Sequence, residues 1–319
     1  MKTFVIPTSS AAHLAKSLRN KGFQVAFPQE SKDKKRYFPD GEVYIKLSSQ
    51  FLSRIKKTRT RIAVLHSGAP KPNEGLVELE LILQILKDNK IRPEVFFSYF
   101  PYGMQDRVFE KGETNVAENL IEKLVNFYKA AQIYIIDPHF GGRKWIKKYP
   151  IKTISAVPLL IQRAQKEFGL AHRLVRQSFS VSGSLGEGGE SILFLSPDVG
   201  GKRRTGISGL KKERINSFRV EILTSNLNCV LGQKSQTIIK GKVIGVVDDV
   251  IKTGGTLLKF AEISKKAGAK KILALATHGV IPSGVTQVKK AYSHLYLTNT
   301  IWQKNANVDV TDLIAETLS

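Results

Sequence analysis

Asp248 and Asp249 close the run VIGVVDD and are followed, three residues on, by Thr253-Gly254-Gly255-Thr256. An apolar run that ends in two carboxylates and then turns through two glycines offers two kinds of recognition in one place. The glycines let backbone N–H groups come close to a phosphate, and Thr253 and Thr256 add hydroxyl donors. The next residues, TLLKFAEISKKAG, have helical spacing. The turn therefore opens onto a helix start, with unpaired N–H groups and a positive dipole end. Asp248 and Asp249 are suited to accept hydrogen bonds from the hydroxyls of a sugar attached to that phosphate. A purely structural turn has no use for two acids crowded together, so the stretch reads as a sugar-phosphate site.

Such a turn needs a strand to carry it, and the chain supplies strands throughout. MKTFVIPTSS at the start, RIAVLHSG (61–68), EVFFSYFPY (94–102), QIYIIDPH (132–139), SILFLSPD (191–198), KVIGVVDD (242–249), KILALATH (271–278) and HLYLTNT (294–300) all read as buried strands. Between them EGLVELELILQILKDN and TLLKFAEISKKAGAK carry apolar residues at helical spacing. Alternation of helices with fully apolar strands predicts an α/β fold with mainly parallel sheets. In such sheets ligands collect where strands end, and several of these strands end in polar residues. Two halves, 1–148 and 149–319, are expected to join near KKYPIKTISAVP (147–158), leaving open a return of the last residues to the first half. VSGSLGEGGES (181–191) reads as a mobile surface excursion.

The composition narrows the function. With 42% apolar residues over 319 positions the chain is expected to fold as a globular protein, in two domains of ordinary size. It has no apolar run long enough for a membrane span, and its N-terminus reads as a first strand and not as a signal peptide. Cys229 is the only cysteine, which excludes an internal disulfide and a multi-cysteine zinc site and fits the cytoplasm. Fifty Lys and Arg against 27 Asp and Glu leave a net charge of +23, which asks for an anionic partner. The basic residues are dispersed, without aromatic interleaving or a nucleic-acid motif, so phosphorylated metabolites are favoured over a specific nucleic acid.

The 248–256 stretch resembles the phosphoribosyl-diphosphate loop of type I phosphoribosyltransferases. Other segments, in order along nearly the whole chain, narrow the resemblance to the ribose-phosphate diphosphokinase family, with an archaeal flavour. They are RYFPDGEVYIKL (36–47), YFPYGMQDRVFEKGE (99–113), IDPH (136–139), SPDVGG (196–201), ATHGVIPSG (276–284) and TNT (298–300). The resemblance implies two phosphoribosyltransferase-like domains, the first on the ATP side and the second on the ribose 5-phosphate side, sharing an interdomain active site in at least a homodimer. It implies transfer of the diphosphoryl group of ATP to O1 of ribose 5-phosphate, with Mg²⁺.

Residue by residue, the resemblance places Phe38 on the adenine with Asp40 and Glu42 at its amino edge, serving a neighbouring subunit's site. Gln105, Asp106 and Arg107 fall along the ATP phosphates. His139 and Asp198 fall to the metal and to catalysis, with Arg219 and Lys252 as further catalytic cations. Asp248 and Asp249 fall to the ribose hydroxyls, and Lys252, Thr253, Gly254, Gly255 and Thr256 to the 5-phosphate. Lys202, Arg203 and Arg204 follow the SPDVGG turn, and a solvated helix start explains them equally well.

Three positions depart from the family. Met104 stands where the family has Arg, Lys252 replaces an acid or small residue, and 220–225 lacks the Lys and Arg of the family's catalytic loop. Losing one donor aimed at developing charge costs ~10²–10³ in rate. Arg219, Lys234, Arg107, Lys111 and Lys252 are the cations close enough in sequence to compensate. A non-catalytic homologue that binds nucleotide or sugar phosphate and regulates a partner subunit is the alternative reading. A phosphoribosyltransferase that consumes the activated donor, and a nucleic-acid binder, are two further ones.

Overall fold

A computed structural model describes residues 3–58, 60–167, 192–197, 213–214, 220–221 and 239–319. Asp198, Lys202, Arg203, Arg204, Arg219, Ile222, Leu223, Thr224 and Cys229 lie outside the described residues, as does the Gly/Ser-rich 181–191 segment. The chain divides into two compact units. Unit 1 takes the residues up to Ile154 together with Asn299–Trp302 and Asp309–Ser319, and unit 2 takes Ser155–Thr298 and Gln303–Val308.

Unit 1 holds a six-stranded, all-parallel sheet in the order β2-β1-β3-β4-β5-β6. Its strands are β1 (Phe4–Pro7), β2 (Gln24–Val25), β3 (Ile62–Ser67), β4 (Glu94–Tyr99), β5 (Gln132–Ile136) and β6 (Ile151–Ile154). Alternate residues of the central strands point to opposite faces, and both faces are buried. Ile6, Val64, Val95, Phe97, Ile133 and Ile135 join one core, while Val5, Ala63, Leu65, Phe96 and Ile136 are buried on the other. Covering both faces is what makes these strands near-continuous apolar runs.

The helices of unit 1 are α1 (Ala12–Asn20), α2 (Ser49–Thr58), α3 (Pro72–Asp88) and α4 (Val116–Glu122). Proline opens α3, and its buried stripe is Gly75, Glu78, Leu79, Ile82, Leu83 and Leu86. One position of that apolar stripe is a glutamate. The returning segments end in a terminal helix, Thr311–Leu318. Asn299 fastens them: its Oδ1 accepts from Val310 N (2.9 Å), its Nδ2 donates to Asp309 (2.7 Å), and its carbonyl accepts from His13 Nε2 (2.8 Å).

Unit 2 holds a four-stranded, all-parallel sheet in the order β12-β11-β10-β7. These strands are β7 (Ile192–Leu195), β10 (Val243–Ile251), β11 (Lys271–Gly279) and β12 (His294–Leu297). A short antiparallel pair, β8 (Glu213–Arg214) and β9 (Val220–Glu221), lies between β7 and β10 in sequence. The helices are α5 (Val157–Glu167), α6 (Gly255–Lys266) and α7 (Pro282–Ala291), and the terminal helix of unit 1 is α8. No helix of the described residues is long and apolar enough to cross a membrane.

The strands differ from the sequence expectation mainly at their ends. The run 94–102 is a strand only to Tyr99, because Pro101 and the left-handed Tyr102 (φ 56°) turn the chain. The run 132–139 stops at Ile136, before the left-handed Asp137 (φ 35°). By contrast, β10 runs two residues past the acids expected to end it.

Candidate active site

In unit 2 the site begins inside β10. Asp248 and Asp249 are both buried, Asp248 pairs in register with Ala276 of β11, and Val250 pairs with His278. Neighbours on an extended strand leave opposite faces. Ile244 and Val246, of Asp248's parity, pack with α6 and α7, whereas Val243 and Val247, of Asp249's parity, pack with α5. The acids are therefore not crowded side by side, as their adjacency in sequence suggests. Asp248 Oδ1 turns back to accept from Asp249 N (3.0 Å). On the Asp248 face, Tyr292 donates to Leu257 O (2.7 Å), and burial, helped by the Asp248 charge, holds its phenol above the ordinary range.

The turn after β10 is shaped by backbone. Thr253 Oγ1 accepts from Gly255 N at 3.5 Å at the start of α6, which Gly254 caps with φ +80°. A side chain there would meet Val288 at 2.8 Å and Gly284 O at 3.1 Å. The reciprocal contact is tighter. A Cβ on Gly284, in the first turn of α7, would stand 1.9 Å from Lys252 O and 2.8 Å from Thr253 C. Lys252 is half-buried, and Thr253 and Gly255 are exposed. The turn is thus pressed onto α7 at a point where only glycine fits, leaving its outer side open. The sequence marks Gly284 only as the last residue of ATHGVIPSG and assigns it no role of its own.

In unit 1 the segment around Phe38 is a hairpin. Tyr37 bridges Val43, Phe38 N donates to Glu42 O (2.8 Å), and Tyr44 N donates to Arg36 O (2.8 Å). Gly41 supplies the positive φ (94°) of the turn, and Asp40 Oδ1 accepts from Glu42 N (3.1 Å). Phe38 is 49% exposed, with the Tyr44 ring edge-on to it at 6.0 Å between centroids, and Asp40 and Glu42 are exposed as well. The hairpin's base reaches the buried Glu78 of α3. Arg36 Nη2 stands 3.4 Å from Glu78 Oε1, and both Glu78 oxygens accept from Ser9 N at 3.0 Å.

The loops after β4 and β5 meet. Asp106 is 3% exposed and binds Arg143 through both oxygens, Nε to Oδ2 at 2.7 Å and Nη2 to Oδ1 at 3.0 Å. Its carbonyl also receives Trp145 Nε1 (3.4 Å). Phe100 meets Phe140 edge-on and Phe140 stacks on Trp145, with ring centroids 5.0 Å apart in each pair. The Asp106 side chain is therefore engaged by Arg143. Gln105 and Arg107 are exposed on either side, Arg107 over the Phe109 ring at 4.2 Å, and His139 is half-buried four residues before Arg143.

Of the expected metal pair, His139 is in unit 1 and Asp198 lies outside the described residues. Among the described residues no group of three or more His, Cys, Asp or Glu side chains is placed to hold a metal.

The class defined by these features is a parallel α/β protein with a glycine turn after a central strand of one sheet and, in the other unit, a hairpin that exposes an aromatic ring. Residues 233–318 match the phosphoribosyl synthetase-associated domain. The chain is 31% identical over 275 residues to a ribose-phosphate pyrophosphokinase of Pyrococcus furiosus, covering 83% of this chain and 84% of that protein. It is 30% identical over 304 residues to one of Thermococcus kodakarensis, covering 92% of each. A crystal structure of phosphoribosylpyrophosphate synthetase from Mycobacterium smegmatis shares the fold, with TM-score 0.73 at 19% identity over 100% of this chain and 98% of that one. The chain belongs to the ribose-phosphate pyrophosphokinase family.

Proposed function

We propose that the chain is a ribose-phosphate diphosphokinase, moving the diphosphoryl group of ATP to O1 of ribose 5-phosphate and releasing AMP. The observation that carries this reading is the 248–256 strand and turn of unit 2, in a chain of this family. Its glycine-shaped backbone and the helix start that follows it suit a phosphate. In this reading the 5-phosphate is held by Thr253 to Thr256 and Lys252. A sugar lying across the sheet edge meets Asp248 from one face and Asp249 from the other.

Unit 1 is assigned the nucleotide. The exposed Phe38 ring stacks on the base, with Asp40 and Glu42 beside it, and Gln105 and Arg107 face the phosphates. An aromatic ring this open to solvent supports service to a second copy of the chain, so at least a homodimer is proposed, in the cytoplasm. Mg²⁺ is taken as arriving on the nucleotide's phosphates, which demands few protein ligands, and His139 and Asp198 are its proposed contacts. The described residues build no cage for it, and Asp106 is already engaged by Arg143.

An assay coupling AMP release to ATP and ribose 5-phosphate tests the reading. AMP should form only with both substrates, and EDTA should stop it. Sugar-phosphate binding without AMP release at any substrate or metal concentration would instead identify a non-catalytic binder.

A further inference from the structure

We infer that Arg143 is a phosphate-binding residue for the nucleoside triphosphate, supplying charge beside Met104, which has no hydrogen-bond donor to offer. The inference rests on the proposed assignment of the nucleotide to unit 1. Phosphoryl transfer depends on cations aligned with the phosphates more than on covalent chemistry. Among the described residues around 104–107, Arg143 is the cation whose direction is fixed by a carboxylate. Asp106 engages one edge of the guanidinium, through Nε and Nη2. The N–H bonds on Nη1 and on the far side of Nη2 are not committed to that carboxylate.

Exposure shows which way the pair faces. Asp106 is 3% exposed and Arg143 35%, so the carboxylate lies inside and the guanidinium reaches the surface. The backbone around Arg143 is fixed as well: Arg143 N donates to Phe140 O (2.8 Å), and Trp145, two residues on, is buried against Phe140. A guanidinium oriented before the ligand arrives loses less freedom on binding it than Arg107 does. The position is also right for a ligand. Arg143 joins the loops that follow β4 and β5, adjacent strands of an all-parallel sheet, at the carboxyl edge where such sheets bind ligands.

The test separates a phosphate contact from a merely structural ion pair. Arg143→Gln and Asp106→Asn break the same pair, but only the first removes the cation. KM for ATP and for ribose 5-phosphate, kcat, and equilibrium ATP binding are measured for both. Arg143→Gln should raise the ATP KM about 10- to 100-fold, the range for losing a hydrogen bond to a charged group. The ribose 5-phosphate KM should move less than about threefold by the same reasoning, and Asp106→Asn should weaken ATP much less than Arg143→Gln. Arg143→Lys, which keeps the charge and guards against a folding failure of Arg143→Gln, should retain part of the ATP affinity.

Equal ATP losses in Arg143→Gln and Asp106→Asn would overturn the inference, and so would an unchanged ATP KM in Arg143→Gln. Phe38→Ala serves as the control. If it weakens ATP while Arg143→Gln does not, the nucleotide assignment stands and only Arg143 is wrong. If neither weakens ATP, both fall together.

Discussion

The carboxyl edges of the two sheets are built in opposite ways. In unit 2 the edge is one strand and the turn that follows it, held by backbone against backbone: Gly254 at φ +80° and Gly284 beside Lys252 O. In unit 1 the edge is assembled by side chains from distant segments. Ser9 and Arg36 reach Glu78 across 69 and 42 residues, Arg143 reaches Asp106 across 37, and Ser67 and Ser98 both donate to Thr300 O across more than 200. A backbone site tolerates little local change and is indifferent to charge elsewhere. A side-chain site can be adjusted one pair at a time and depends on the protonation and packing of each.

The largest effect should come from breaking the backbone site. Gly284→Ala places a methyl group where Lys252 O stands, so the turn must move. Overpacking of this kind costs ~1–3 kcal/mol, and a displacement of about 1 Å costs ~10²-fold in rate. The kcat/KM for ribose 5-phosphate should fall ~10²-fold with ATP binding unchanged. Steady-state kinetics in both substrates would show it. A variant with wild-type kcat/KM for ribose 5-phosphate would mean that the turn is not pinned there.

Next in size is the ring at the tip of the unit 1 hairpin. Phe38→Ala should weaken ATP by ~1–3 kcal/mol, as loss of a stacked ring does for bases, with little change in melting temperature because the ring is already open to water. Calorimetry with ATP measures it. A large fall in melting temperature would show instead that Phe38 is structural.

The third effect follows from burial in the side-chain-built edge. His66 at the end of β3 is fully buried, with Nδ1 2.9 Å from Thr8 Oγ1 and its ring edge-on to Phe97. Burial pushes its pKa down to about 3 from the ordinary 6.5. Between those values the unfolded chain takes up the proton and the folded one does not, so stability falls as pH falls from 6.5 towards 3. The loss is at most ~1.4 kcal/mol per pH unit from this group. His66→Gln should flatten that part of the stability profile followed by urea unfolding. An unchanged slope would place the acid sensitivity elsewhere.

The same contrast explains what could be read from the sequence. The central strands of both sheets, their parallel arrangement, the apolar stripe of α3 and the glycine turn after β10 are all local patterns, and they are where reading succeeded. The strand β6 was missed because its exposed Lys152 and Thr153 interrupt any apolar run. The Asp106–Arg143 pair was missed because neither residue signals its partner: which loops meet is decided by the order of the strands. One signal was available and unused. A glutamate at position 78 of a buried stripe demands a partner, and that demand points to a polar network beneath the hairpin.

The smallest effect expected is on that network. Glu78 is 4% exposed and accepts from Ser9 N with both oxygens, while Arg36, at the base of the hairpin, meets it from a half-buried position. Glu78→Gln keeps the shape and an acceptor for Ser9 N but removes the charge that Arg36 faces. The hairpin retains its own backbone bonds, so it should loosen at its base and not unfold. Because Arg36 is partly solvated, the pair is worth nearer ~1 kcal/mol than the several lost when a wholly buried pair is broken. ATP affinity should therefore fall only about threefold to fivefold, in line with that ~1 kcal/mol. Arg36→Lys should behave similarly, and the ribose 5-phosphate KM should not move in either. The last point tests the comparison itself. If Glu78→Gln raised the ribose 5-phosphate KM as much as the ATP KM, unit 2's turn would not be held independently by its own backbone, and the two edges could not be treated as separate constructions.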